Sequence, residues 1–131
     1  MGHLMRLLLD THALLWWFQD SRLSMPAKRA IADPANEVFV SSASAWEIAI
    51  KQRAGKLLDA PAADRLFMEI TRDERYQQLP ITVPHALLAG SFQHAHRDPF
   101  DRMLCAQAQI EGLTLVTIDP LMAGFGISTF W

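Results

Sequence analysis

One cysteine, Cys105, in 131 residues leaves no partner for an internal disulfide, so the fold must be held by its core, and a reducing cytoplasm is the expected setting. Cys105 lies in an apolar helical pattern and reads as a small core residue, since no cationic cluster or helix N-terminus activates it. Long hydrophobic runs are missing as well. "RLLLD" and "HALLWWF" are interrupted by charge, far short of the roughly 20 residues of a membrane span, and no signal-peptide pattern precedes them. Nor is there an excess of positive charge. With a net charge of −2, the chain lacks the basic balance of proteins that grip nucleic acid over a broad face; such a ligand would be held locally or through bound metal. Also absent are a Gly-rich phosphate loop, a Rossmann fingerprint, a Ser-His-Asp arrangement, and any repeat, low-complexity segment or linker.

What remains is an ordinary globular composition, 50% apolar and 20% charged, enough for one domain with a real core. The opening "MGHL" reads as a cloning remnant, which places the domain at 5–131. Apolar runs at "MRLLLD" (5–10), "NEVFVS" (36–41) and "LTLVTID" (113–119) suit buried parallel strands, with a shorter strand near "YQQLPIT" and a weak one at "STFW". Helical spacing recurs between them: "THALLWWFQD", with Thr11 as a possible N-cap; "MPAKRAIAD", with Pro26 near its start and Asp33-Pro34 as a stop; "SASAWEIAIKQRAGK", ending toward Gly55; "PAADRLFMEITRDER"; "HALLAGSFQ" after Pro84; and "DPFDRMLCAQA", stopped by Gly112. Strands alternating with helices predict an α/β fold with a mostly parallel sheet covered on both faces.

In that architecture the segments after each strand, and the helices that lead down to the next, start at the sheet's carboxyl edge, where ligands bind. Asp10 closes the first strand and Asp119 closes "LTLVTI". Glu47 falls near the first turn of the helix after the second strand, and Asp101 in the first turn of the helix that descends into "LTLVTI". Each acid alone has a structural explanation. Ser44 to Glu47 matches a capping box, Asp98-Pro99-Phe100-Asp101 gives Asp98 as N-cap with Asp101 at N3, and Asp119-Pro120 can start a turn. Together, without matching Lys or Arg partners, converging carboxylates repel one another, and a divalent cation relieves that repulsion. Oxygen-only ligands favour Mg²⁺ or Mn²⁺ over zinc. A metal of this kind meets substrate phosphates and acidifies an attacking water, which is the chemistry of phosphodiester hydrolysis. Asp98 is better placed to cap and Asp101, one turn on, to ligate; Asp98 stays open as an auxiliary group.

The stretches "LLLDTHALLW", "VSSASAWEIAIK", "HRDPFDRMLCAQA" and "LVTIDPLMAGFGI", in this order across nearly the whole chain, resemble the PIN-domain family, and in particular the VapC-type toxin ribonucleases. The resemblance implies a single domain folded as an α/β/α sandwich around the central sheet, and a Mg²⁺-dependent endoribonuclease, with Mn²⁺ able to substitute. Asp10, Glu47, Asp101 and Asp119 match the family's acidic positions, Asp10 and Asp101 as direct metal ligands and Glu47 and Asp119 through water or by positioning the nucleophile. Thr117 matches a frequent polar position there. RNA as substrate, a cognate antitoxin and a homodimer are implied in the same way.

Arg97 and Arg102 flank these acids and are placed either to touch phosphate or to neutralise Asp98 and Asp101. His12 reads as an ordinary polar helix residue, and His94 with His96 as a weak zinc signal. Adjacent Trp16 and Trp17 cannot both face inward on one helix, which nominates one for an interface. Two other readings compete: a receiver-like or purely interacting α/β domain that binds metal without hydrolysis, and a small phosphatase. The first lacks the acidic pair beside Asp10 and a late-strand Lys; the second has His12 where many such enzymes carry a second aspartate.

Overall fold

Strands as apolar as "RLLL" need cover on both faces, which a parallel sheet between two helical layers provides. The computed structural model describes residues 4–19, 22–57 and 60–131. Its strands are β1 (Arg6–Leu9), β2 (Glu37–Ser41), β3 (Tyr76–Leu79), β4 (Thr114–Val116) and β5 (Thr129–Phe130). Its helices are α1 (Thr11–Gln19), α2 (Met25–Ala32), α3 (Ser42–Arg53), α4 (Ala63–Arg72), α5 (Val83–Ser91) and α6 (Pro99–Glu111), with a 3-10 helix over Pro120–Phe125. The sheet runs β3-β2-β1-β4-β5 with each pairing parallel, as the strand–helix alternation predicts. Of the expected leader, residues 1–3 lie outside the described residues, as does Asp20 at the expected end of α1. No helix among the described residues is long and apolar enough to cross a membrane.

The period-2 geometry of strands divides the core into two layers. Leu7, Leu9, Val38, Val40 and Val116 face one side and pack with Leu14, Ile31, Leu66 and Ile70, from α1, α2 and α4. Leu8, Phe39 and Leu115, the residues between them, face the other side and meet Leu104 and Cys105 of α6 with Met122 and Phe125. Cys105 is thus fully buried, and burial pushes its thiol pKa up to about 12, as suits a packing residue.

Helix ends follow local chemistry, with several departures from expectation. Asp10, not Thr11, caps α1: its carboxylate Oδ1 accepts from the Ala13 amide at 2.7 Å, and Thr11 is buried, its hydroxyl 3.1 Å from that of Ser44. The Ser44–Glu47 capping box does not form, because β2 runs straight into α3 and Ser41 caps it, accepting from the Ala43 amide at 3.0 Å. Glu47 is therefore in the second turn of α3. Gly55, at φ +78°, closes α3 in a Schellman arrangement, with Gly55 N–H on Gln52 O at 3.0 Å and Lys56 N–H on Lys51 O at 2.9 Å. Gly112 ends α6 at φ +66° as expected. Asp119 initiates more than a turn, capping the 3-10 helix through the Leu121 amide at 2.9 Å. The two tryptophans also differ from expectation. Both are half-buried against the same apolar layer, Trp16 edge-on to Trp131 at 5.8 Å and Trp17 donating its indole N–H to the Tyr76 hydroxyl at 2.7 Å. Both rings therefore share the core packing that the sequence pattern predicts for only one of them.

Candidate active site

The sheet order reverses direction between β1 and β4: the chain moves outward through β2 and β3, then crosses back to the far side of β1. In open parallel sheets that reversal leaves a crevice at the carboxyl edge. A cavity of about 130 Å³ lies there, lined by Asp10, Glu47, Asp101 and Asp119 with Asp98, Thr117, Thr11, His12 and Lys51. Side chains drawn from β1, α3, α6 and the end of β4 thus meet in one place, because parallel strands deliver their C-terminal residues to a common edge.

Asp10 is only 7% exposed. Besides the Ala13 amide, the Thr117 hydroxyl bonds its carboxylate, while Thr117 Oγ1 accepts from the Asp119 amide at 3.1 Å. Thr117 thereby ties the ends of β1 and β4 together at the cavity wall. Burial raises the Asp10 pKa above the ordinary carboxylate value, against the lowering effect of these hydrogen bonds, and the charge of Asp101 adds to the rise. Burial likewise raises Asp101, opposed by the His96 hydrogen bond and reinforced by the charges of Asp98 and Glu47. Mutual repulsion among these carboxylates is written in both shifts.

Glu47 is buried and pairs with Lys51 one turn along α3, Nζ to Oε2 at 2.5 Å. The expectation of acids without a Lys or Arg partner is corrected here, since Lys51 compensates one carboxylate from the i+4 position. A buried bond holds the β2–α3 junction against α6: the Ser41 hydroxyl donates to Gln107 Oε1 at 2.5 Å. Glu47 and Asp101 therefore approach on helices that are tied together at the sheet edge.

Asp98 caps α6, accepting from the Phe100 and Asp101 amides at 2.9 and 3.0 Å, and Asp101 follows at N3. Asp98→Ala is expected to cost about 1 kcal/mol, with Asp98→Asn close to neutral because asparagine caps equally well; denaturant melts of the two variants would show the difference. The arginines do not neutralise the acids. Arg102 turns its guanidinium onto the carbonyls of Ala89, Phe92, His94 and His96 at 2.7–3.1 Å. The C-terminus of α5 has no glycine in left-handed conformation to close it, and the cation satisfies those orphan acceptors instead. Arg97 is exposed, and neither arginine lines the cavity.

His96, which the sequence offers only as half of a weak zinc signal with His94, has its Nε2 2.8 Å from Asp101 Oδ2. His96, Asp101 and Asp119 each offer one ligand atom, all within 4.8 Å of one another. An acid five residues on is the signal that pairs it, but a polar loop has no periodicity to say which way a side chain turns. His12 is exposed at the cavity mouth, stacked on Trp16 at 5.5 Å.

A family model for the PIN domain matches residues 7–124. No curated protein matches in sequence. Among solved structures, the chain is similar to VapBC2 from Rickettsia felis bound to a promoter DNA fragment, with TM-score 0.70 and 13% identity over 96% of this chain and 98% of that one. It is similar to DNA-bound VapBC from Salmonella typhimurium, with TM-score 0.67 and 18% identity over 97% and 98%. A toxin–antitoxin complex from Klebsiella pneumoniae gives TM-score 0.64 and 17% identity over 95% of each chain. At these identities the likeness is one of fold.

Proposed function

We infer, for a chain that belongs to the PIN-domain family, that the acidic cavity is the active site of a divalent-metal-dependent endoribonuclease, and that the protein is the toxin of a toxin–antitoxin pair. One observation carries this reading. Asp10, Glu47, Asp101 and Asp119 come from four separate elements into one cavity, and the two whose pKa values are raised by burial, Asp10 and Asp101, have neither Lys nor Arg among their hydrogen-bond partners. That donor set fits a hard divalent ion, Mg²⁺ with Mn²⁺ as a substitute. Asp10 and Asp101 would hold the ion directly, and Glu47 and Asp119 would complete the site through water or by orienting the nucleophile. Such an ion, when bound, draws in substrate phosphate and acidifies an attacking water.

The chain's own residues prepare that chemistry. Thr117 and the Ala13 amide fix the Asp10 carboxylate, so little reorganisation is needed when charge builds up at the scissile phosphate. Lys51 pairs with Glu47 at the cavity and adds a positive group at its wall. Asp98 acts by capping α6 and thereby orienting Asp101. RNA is the substrate class we assign, held at the cavity and not by an extended basic face, in keeping with the net charge of −2. A cognate antitoxin, a homodimer and a cytoplasmic setting complete the proposal, and residues 5–131 form its one functional unit. The toxin–antitoxin complex among the similar folds supports the partnership.

The test is cleavage of a mixed cellular RNA pool by purified, antitoxin-free protein with Mg²⁺, with Mn²⁺ and with EDTA. Cutting should require metal, survive Asp98→Asn and vanish in Asp101→Asn. Folded wild-type protein that leaves the pool intact in both metals would replace this reading with that of a metal-binding interaction domain.

A further inference from the structure

Most of the polar edge is accounted for by carboxylates, but one imidazole is built into it with more support than a surface histidine needs. The His96 carbonyl and that of His94 both accept from Arg102 Nη1, at 3.0 and 3.1 Å. The His96 amide donates to His94 Nδ1 at 3.0 Å. The His94 ring in turn stacks on Phe125 at 4.2 Å between ring centres, seated over Gly124, where a Cβ would come within 2.6 Å of its Nε2. Backbone, neighbouring ring and a glycine without a side chain thus fix where His96 sits. Its Nε2 then lies 2.8 Å from Asp101 Oδ2, with an Asp119 oxygen inside the same 4.8 Å cluster.

We propose that His96 is a nitrogen ligand to the divalent cation at the Asp101–Asp119 end of the cavity, and that this end of the site selects Mn²⁺ over Mg²⁺. This rests on the metal-dependent reading above and extends it to a ligand that is not a carboxylate. Adjacent ligand atoms on an octahedral ion with bonds near 2.1 Å are roughly 3 Å apart, a separation the His96–Asp101 pair already has. One imidazole among oxygens changes the preference of a site. Mg²⁺ takes oxygen ligands and gives up water reluctantly, whereas nitrogen donors favour the first-row transition ions, of which Mn²⁺ is the one that also accepts a carboxylate-rich set. Arg102 and His94 are then positioning residues for the imidazole.

The experiment is Mn²⁺ titration of metal-stripped, full-length protein without RNA, followed by electron spin-echo spectroscopy for the ¹⁴N modulation of a coordinated imidazole. Wild type, His12→Gln and His96→Gln would be compared, the glutamine at 96 keeping a hydrogen-bonding group toward Asp101, with thermal melts to show that each is folded. The modulation should be present in wild type and in His12→Gln and absent in His96→Gln. Mn²⁺ affinity should fall about tenfold or more in His96→Gln, while Mg²⁺ affinity, read by competition, changes far less. Mn²⁺ bound by wild type without nitrogen modulation overturns the assignment and leaves the metal-dependent nuclease reading standing, and that outcome needs no variant. Modulation that persists in His96→Gln, or is lost in His12→Gln, overturns it equally. Wild type that binds no Mn²⁺ at all overturns both.

Discussion

Asp10→Asn is expected to remove RNA cleavage and at the same time to make the metal-free protein harder to melt. The two effects share one cause. Asp10 is held at 7% exposure beside Asp101, where burial makes its charge costly to the fold beyond what its hydrogen bonds recover, and where a bound cation would offset that cost. Asparagine is nearly the same size, and its Oδ1 keeps the cap on the Ala13 amide and the bond from Thr117, so the change isolates the charge. Loss of this proposed metal ligand should lower cleavage by about 100-fold or more, since metal stabilisation of a transferring phosphoryl group is worth several kcal/mol. In EDTA the same variant should gain about 1 kcal/mol, a few degrees in Tm.

The sign of the pH dependence follows from the direction of the shift. A carboxyl whose pKa is raised by folding binds its proton more tightly in the native state than in the unfolded one. The resulting advantage of the fold is fully present below the ordinary value of 3.8 and is lost as pH rises through the raised folded value. The wild type in EDTA should therefore lose stability as pH climbs out of the acid range, and Asp10→Asn, lacking that group, should follow a flatter curve. Melts of both proteins in EDTA at pH 5 and pH 8 would show the gap widening at the higher pH. An asparagine variant that melts below wild type at pH 8 would mean that Asp10 is a structural carboxylate first, and would undercut the assignment of the cavity.

What the sequence makes legible here is where strands end. "RLLLD" and "LTLVTID" are apolar runs terminated by acids, and parallel strands bring such ends to one edge whatever the intervening loops do, so Asp10 and Asp119 are readable without coordinates. Asp101 follows from a Pro-containing helix start. Side-chain choices among near-equivalents are not legible. "SSAS" offers serines at 41, 42 and 44, and only the absence of a loop between β2 and α3 decides that Ser41 caps. Lys51 sits four residues after Glu47, a visible pair, yet its place near the end of α3 suits the helix dipole equally well. His85 at N3 completes a capping box with Thr82, a role usually taken by Glu or Gln, so its pattern does not announce itself. Arg102 is the clearest case. A cation next to Asp101 in sequence invites pairing, but on a helix adjacent residues point about 100° apart, and the guanidinium finds carbonyls instead.

That placement gives Arg102→Ala the largest expected cost to stability. The guanidinium closes the C-terminus of α5 and the following loop through the carbonyls of Ala89, Phe92, His94 and His96, and α5 and α6 pack closely along their lengths. Bonds to a charged donor are each worth about 1.5–3 kcal/mol when lost, less whatever water recovers at these half-buried carbonyls, so truncation should cost about 3 kcal/mol. Arg102→Lys should recover little of it, because a single ammonium cannot reach acceptors spread along the chain from 89 to 96 as a planar fork with its several N–H groups does. Urea denaturation is the direct measure: the midpoint should drop in both variants with the slope unchanged, and amide exchange should accelerate at residues 92–97 before the rest of the fold responds. Asp101 keeps its helix and its cap from Asp98 in these variants, so any loss of cleavage that exceeds the loss of folded protein would report the loop carrying His96, not the carboxylate. An Arg102→Lys protein as stable as wild type would show that charge alone, and not the fork, closes α5.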